Sequence, residues 1–388
     1  MHFEGLICTG CGRRLHPGEK LWVCRDCGSL LDAVYDFDGL DGDRVREELN
    51  RRPRTLWRYR EFLPVQDIGG VVSLGEGSTP LVRAGRYGER LGLKNLFFKI
   101  EYLNPTGSFK DRGATVLVSK AKELGVKVLI EDSSGNAGSS IAAYSARAGI
   151  ECMIYVPSYT SPGKLFQMEM YGARVVRVPG SRDEVALKAE EACNGGGGYY
   201  GGHNKNPYFL EGNKTFAYEV VEDLDWKAPD HIIFPVGGGS LFLGSWKGFQ
   251  EFKGLGWIDG TPRLHCIQSM ACKPIVEAYQ RGLEYVEGVE PGFTVAGGIR
   301  VGRPPRGRLI LKALRESGGV ALAVSDEAIL TQQRCLAKEE GIFAEATSCA
   351  ALSGLQLLLE EGVIERDEVV VIPVTGFGLK ESMKVKES

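Results

Sequence analysis

From residue 95 onward the chain alternates short apolar runs with longer amphipathic segments. The apolar runs cover residues 95–101, 126–131, 152–156, 175–178, 231–236, 264–268 and 368–374, and most are rich in Val and Ile. Runs of that length and makeup read as strands covered on both faces. The segments between them carry helix signals. Residues 108–125 open on polar side chains and stop at Gly125. Ser181 followed by Glu184 has capping-box spacing and predicts a helix running toward Cys193. Ser325 predicts the cap of another helix over 326–340. This alternation predicts an α/β protein with mostly parallel sheets. No repeat of solenoid period is present, and no apolar stretch reaches the ~18 residues of a membrane span.

At 388 residues the chain is long enough for two or three domains. Its 47 Lys and Arg against 50 Asp and Glu leave a net charge of −3, which argues against nucleic-acid binding through a basic face. A basic run interleaved with aromatics, Arg51-Arg52-Pro53-Arg54 and Trp57-Arg58-Tyr59-Arg60, therefore reads as a solvated linker packing its aromatics on the next domain. The N-terminus lacks a charged segment followed by an apolar one, so no signal peptide is expected. Six scattered cysteines in apolar surroundings read as buried thiols of a reducing compartment. Together these features predict a cytoplasmic protein that binds neither membrane nor nucleic acid.

The remaining four cysteines lie within the first 27 residues as Cys8-x2-Cys11 and Cys24-x2-Cys27, with a Gly after each pair. Each pair brings two thiolates to one ion from a tight turn, and four thiolates suit Zn²⁺, with iron as the competing ion. The set closes the coordination shell, so its role is structural, and His16 in the intervening loop is read as a surface residue.

Glycine is 52 of 388, about twice the usual share of ~7%. Much of the excess sits in loops after the apolar runs, where open α/β sheets bind ligands. Four such loops hold candidate chemistry. Residues 104–113 place Lys110 in the first turn of a helix, where a positive field favours a neutral, nucleophilic amine. Residues 133–140, Ser-Ser-Gly-Asn-Ala-Gly-Ser-Ser, offer backbone N–H groups and one amide around an anion. Gly237-Gly238-Gly239-Ser240 lets backbone wrap an anion such as phosphate, with neither a P-loop Lys nor a dinucleotide fingerprint. Thr375 ends the last strand with a neutral hydroxyl. Each loop alone reads as an ordinary turn, N-cap or surface feature.

In this order, and with residues 73–81, 211–215, 345–348 and 375–380, these motifs resemble threonine synthase, a pyridoxal-phosphate (PLP) enzyme of fold type II in the tryptophan synthase β superfamily. The resemblance covers about residues 55–380, and the four-cysteine module resembles the zinc ribbon that many such chains carry. It implies two doubly wound α/β domains with mostly parallel sheets. The ribbon would cover residues 1–35, the large PLP-binding domain 36–104 and 181–388, and a small mobile domain 105–180. It further implies that Lys110 binds PLP covalently and moves protons, and that Asn136 bonds its phenolic oxygen. Gly237, Gly238, Gly239 and Ser240 would hold its phosphate, and Thr375 would face its ring nitrogen. A neutral hydroxyl there steers toward elimination and replacement rather than transamination.

Ser134, Gly135, Ala137 and Gly138 would hold the substrate α-carboxylate. The implied activity is conversion of O-phosphohomoserine and water to threonine and phosphate, by a homodimer acting on a small amino-acid substrate. Three positions depart from the pattern. Gly238 stands where an Asn is usual, Ala137 where a Thr is usual, and Phe209 where an Arg grips the substrate phosphate. Lys205, Asn204 or His203 are left to replace that Arg. The departures keep open a β-replacement or β-elimination enzyme, such as a cysteate synthase using O-phosphoserine and sulfite or a serine/threonine dehydratase. A non-catalytic PLP-binding protein is the third reading.

Overall fold

The structure, a computed structural model, describes residues 2–381. Three short strands come first: β1 (Phe3–Cys8), β2 (Arg14–Leu15) and β3 (Leu31–Tyr35), an antiparallel sheet in the order β2-β1-β3. The next strands in the chain are β4 (Leu81–Arg83), β5 (Asn95–Lys99), β6 (Val128–Glu131), β7 (Glu151–Pro157), β8 (Arg174–Val178) and β9 (Tyr199–Tyr200). Four more follow: β10 (His231–Pro235), β11 (Arg263–Ser269), β12 (Ala321–Val324) and β13 (Val369–Pro373).

The described chain divides into two compact units. The first holds, of the described residues, 2–78, 104–106 and 110–215. Its main sheet is all parallel, in the order β8-β7-β6-β9, and so extends past residue 180 to take in β9. The second holds residues 79–103, 107–109 and, to the end of the described residues, 216–381. Its six strands run β12-β11-β10-β13-β5-β4, parallel except where β4 pairs β5. All seven apolar runs became strands; the inner ones, β6, β10, β11 and β13, lose water on both faces, while the edge strand β8 stays partly exposed.

Five helices matter for the site: α1 (Lys110–Glu123), α2 (Asn136–Ala148), α3 (Arg182–Asn194), α4 (Pro207–Asn213) and α5 (Ser240–Gly254). The capping box at α3 forms as its spacing predicts: Ser181 Oγ accepts from the Glu184 amide, and the Glu184 carboxylate accepts from the Ser181 amide. Ser325 likewise caps the helix Asp326–Glu340.

The cysteine module shares one apolar core with the rest of its unit. Trp22 packs on Tyr200 with ring centroids 5.5 Å apart, and Phe3 meets Tyr208 edge-on at 6.3 Å. Within the basic run, Trp57 and Tyr59 are buried as the sequence implies. Its cations are not all solvated. Arg58 is buried and donates to the Leu49 carbonyl, while Arg52 pairs with Glu48 and Glu61. A buried guanidinium must spend its donors on protein acceptors, whereas Arg51, Arg54 and Arg60 are exposed, as a solvated run implies.

Candidate active site and metal centre

The first unit carries Lys110, the 133–140 loop and the 203–209 segment. Lys110 opens α1, and the residue after it fixes the turn. Asp111 is fully buried and accepts from Thr106 N, Thr106 Oγ1 and Ser140 Oγ at 2.6, 2.6 and 2.5 Å. One carboxylate therefore ties the loop before α1 to α2. At the other end of the 133–140 loop, a Cβ on Gly138 would overlap the Ser133 carbonyl oxygen, so the tight entry into α2 requires glycine there. Asn136 and Ala137 begin α2, while Ser134 and Gly135 form its approach. Ser134, Gly135, Asn136, Ala137 and Gly138 thus form one continuous backbone turn at a helix N-terminus, which suits an anion.

The 203–209 segment behaves differently from its sequence reading. Phe209 is fully buried, and a Cβ on Gly113 would overlap its ring. Lys205 forms an ion pair with Glu190. His203 is bound by Glu131: the His203 amide donates to Oε2 at 3.2 Å, and Nδ1 lies 2.8 Å from Oε1. Burial, with Lys110 adding to it, holds the His203 imidazole neutral, well below its ordinary pKa. Burial also pushes the Glu131 carboxyl up to about 8, against the opposing pull of Lys110 and Arg182. Asp132 is raised by the same burial and by its neighbour Glu131.

Glu131, Asp132 and His203 come within 4.8 Å of one another, a grouping that sequence reading did not reveal. Glu131 and His203 are 72 positions apart, and only the parallel pairing of β6 with β9 brings them together.

The second unit carries the glycine loop and Thr375. The loop joins β10 to α5. A Cβ on Gly237 would sit 2.9 Å from the Gly298 oxygen, and Gly239 turns with φ +81° over the side chain of Ile310. Neither position accepts a side chain, so the loop presents bare backbone beside the N-terminus of α5, where Ser240 begins the helix. Thr375 is buried, and its Oγ1 lies 2.8 Å from Ser348 Oγ. Its carbonyl accepts from the Phe109 amide at 3.0 Å. Next to this bond, Ser108 is fully buried and its hydroxyl has no hydrogen-bond partner among the described residues. A buried hydroxyl left unpaired is costly, and a polar ligand would complete it.

In the cysteine module, Cys8 Sγ lies 3.3 Å from Cys27 Sγ, and Cys11 Sγ lies 3.7 Å from Cys24 Sγ. The Gly10 and Cys11 amides point at Cys8 Sγ, each at 3.4 Å. Four thiolates bound tetrahedrally at ~2.3 Å from Zn²⁺ stand ~3.8 Å from one another, so the cluster fits that ion. His16 lies outside it, exposed on the intervening loop.

Comparison with known proteins matches residues 72–376 to the family described as pyridoxal-phosphate dependent enzyme. That span contains Lys110, Asn136, the Gly237–Ser240 loop and Thr375. The threonine synthase of Methanocaldococcus jannaschii is 43% identical over 379 residues, covering 96% of this chain and 92% of the relative. That of Methanosarcina acetivorans is 40% identical over 381 residues, covering 98% and 93%. Among solved structures, a threonine deaminase from T.th. superposes with a TM-score of 0.65 at 25% identity, covering 77% of this chain and 92% of that one. The chain belongs to the pyridoxal-phosphate dependent enzymes and, within them, to the threonine synthase family. Each unit carries residues that fit PLP: in the second, a glycine cradle that excludes side chains, a buried Ser108 hydroxyl without a partner among the described residues and a neutral hydroxyl at Thr375; in the first, a lysine opening a helix.

Proposed function

We propose that this chain is a threonine synthase, a PLP-dependent carbon–oxygen lyase that converts O-phosphohomoserine and water to threonine and phosphate. The observation that carries this reading is the 43% identity to the M. jannaschii threonine synthase, spanning 92% of that protein. PLP held at Lys110 would supply an electron sink for the substrate α-carbon. The rest falls to the chain. Lys110 Nζ takes protons from Cα and Cβ and returns protons to Cα and Cγ. Phosphate leaves from Cγ with its bridging oxygen, and water supplies the hydroxyl at Cβ. Gly237, Gly238, Gly239 and Ser240 hold the cofactor phosphate on backbone N–H groups. Asn136 holds its phenolic oxygen. Thr375, oriented by Ser348, leaves the ring nitrogen unprotonated. Ser134, Gly135, Ala137 and Gly138 take the α-carboxylate, and Asn204 is a further candidate to contact the substrate.

Phe209 favours a second reading. Its buried ring fills the position at which the resemblance calls for an anion-gripping Arg. A Cβ-acting enzyme of the cysteate synthase or serine/threonine dehydratase type is that alternative. The test supplies PLP-loaded protein with O-phosphohomoserine and, separately, with O-phosphoserine with and without sulfite. Threonine with stoichiometric phosphate from the first supports the proposal. Turnover confined to O-phosphoserine, serine or threonine rejects it.

We assign Zn²⁺ to Cys8, Cys11, Cys24 and Cys27 as a structural ion. We further read the enzyme as a cytoplasmic homodimer, the dimer on the family resemblance and the compartment on its unbridged cysteines. Among the described residues no helix is long and apolar enough to cross a membrane.

A further inference from the structure

We propose that Arg182 binds the phosphate of the substrate, in place of the guanidinium absent at position 209. The inference rests on the reading of O-phosphohomoserine as substrate. A phosphate ester dianion needs a cation, and the 203–209 segment supplies none. Phe209 is buried against α1, and Lys205 is taken up by Glu190. Asn206 spends its amide on Tyr199 Oη and the Tyr200 carbonyl at 3.1 and 2.9 Å. His203 is neutral and held by Glu131.

Arg182 stands where such a cation is needed. It opens α3, and its Nη1 lies 3.5 Å from Ser134 Oγ, over the turn that leads into α2. It is exposed, and it forms no ion pair among the described residues. A cation at the first position of a helix opposes the helix dipole, which favours anions there. The capping box fixes the backbone of this turn and leaves the guanidinium unanchored. A negative ligand would relieve that unfavourable placement. The guanidinium pulls the Glu131 and Asp132 carboxyls down and favours the neutral His203 imidazole. Glu131, pushed up to about 8, keeps its proton at neutral pH and so does not cancel the guanidinium charge. A planar guanidinium presents paired donors that match two phosphate oxygens, which a lysine cannot do.

The test compares wild type, Arg182→Gln and Arg182→Lys, all loaded with PLP. The readouts are KM and kcat for O-phosphohomoserine, and calorimetric affinities for inorganic phosphate and for L-threonine, which has the α-carboxylate but no phosphate. Arg182→Gln is expected to raise KM by roughly 30-fold or more and to weaken inorganic phosphate by a similar factor. L-threonine affinity stays unchanged, and Arg182→Lys recovers only part of the loss. An unaltered KM and phosphate affinity in Arg182→Gln overturns the proposal. So does a loss of L-threonine affinity matching the loss of phosphate, because it assigns Arg182 to the α-carboxylate. Should wild type fail to turn over O-phosphohomoserine, the functional reading falls, and the phosphate affinities still decide the role of Arg182.

Discussion

Lys110 Nζ lies 5.6 Å from the centroid of the Phe209 ring, so the lysine proposed to bind the cofactor sits beside an aromatic face. The same ring fills the space that a side chain on Gly113 would occupy. Lys110 and Gly113 are three residues apart on α1, on one helix face, and Phe209 on α4 packs against both.

This packing makes Gly113→Ala a sharp test of the α1–α4 contact. The added methyl overlaps the Phe209 ring, and overpacking of that kind costs about 1–3 kcal/mol. The urea midpoint of Gly113→Ala is expected to fall with the slope unchanged, and Phe209→Leu in the same background is expected to recover part of the loss. A midpoint equal to wild type contradicts the packing.

The Glu131–His203 pair predicts a pH dependence of stability. Glu131 is raised to about 8 in the fold, against an ordinary value near 4.5. Unfolded chains ionise it first, so its contribution is complete below about 4.5 and is lost as pH rises through about 8. Glu131→Gln removes that dependence. The stability of Glu131→Gln relative to wild type is expected to improve steadily between pH 5 and pH 8, measured by urea unfolding at each pH. A constant difference across that range contradicts the raised carboxyl.

The cysteine module predicts one zinc per chain in protein purified without added metal, measured by elemental analysis. Because Trp22 packs on Tyr200 of β9, loss of the ion reaches the main core of the first unit. Cys24→Ser is expected to lower the thermal midpoint by more than about 5 °C. Iron in place of zinc, or an unchanged midpoint, contradicts this assignment.

Much of the scaffold was legible because burial on two faces writes itself into composition. The runs that became β6, β7, β10 and β13 stand out as Val and Ile. Ser181 and Ser325 marked their helices because capping is a local interaction between residues three apart. The strands that escaped are short or partly exposed: β4 and β9 span three and two residues, and β12 is Ala-Leu-Ala-Val with two half-buried positions.

The site was legible where chemistry is local, as in the Gly237–Gly239 run, and hidden where it depends on tertiary contact. Glu131 and His203 meet only through strand pairing. Arg182 was visible only as a neighbour of a capping serine, since a sequence does not show whether a cation has a partner. Lys205, read as a substrate contact, has Glu190 as its ion-pair partner, which only the fold reveals.

The central claim is that Lys110 drives carbon–oxygen cleavage and rehydration of O-phosphohomoserine. The most direct measurement runs that reaction in ¹⁸O-labelled water with wild type and Lys110→Ala, and locates the label by mass spectrometry. In wild type, one labelled oxygen is expected in the threonine hydroxyl and none in the phosphate. In Lys110→Ala, turnover is expected to fall by at least ~10³-fold. Label in the phosphate would mean phosphorus–oxygen hydrolysis, and that result, or undiminished turnover without Lys110, would contradict the account.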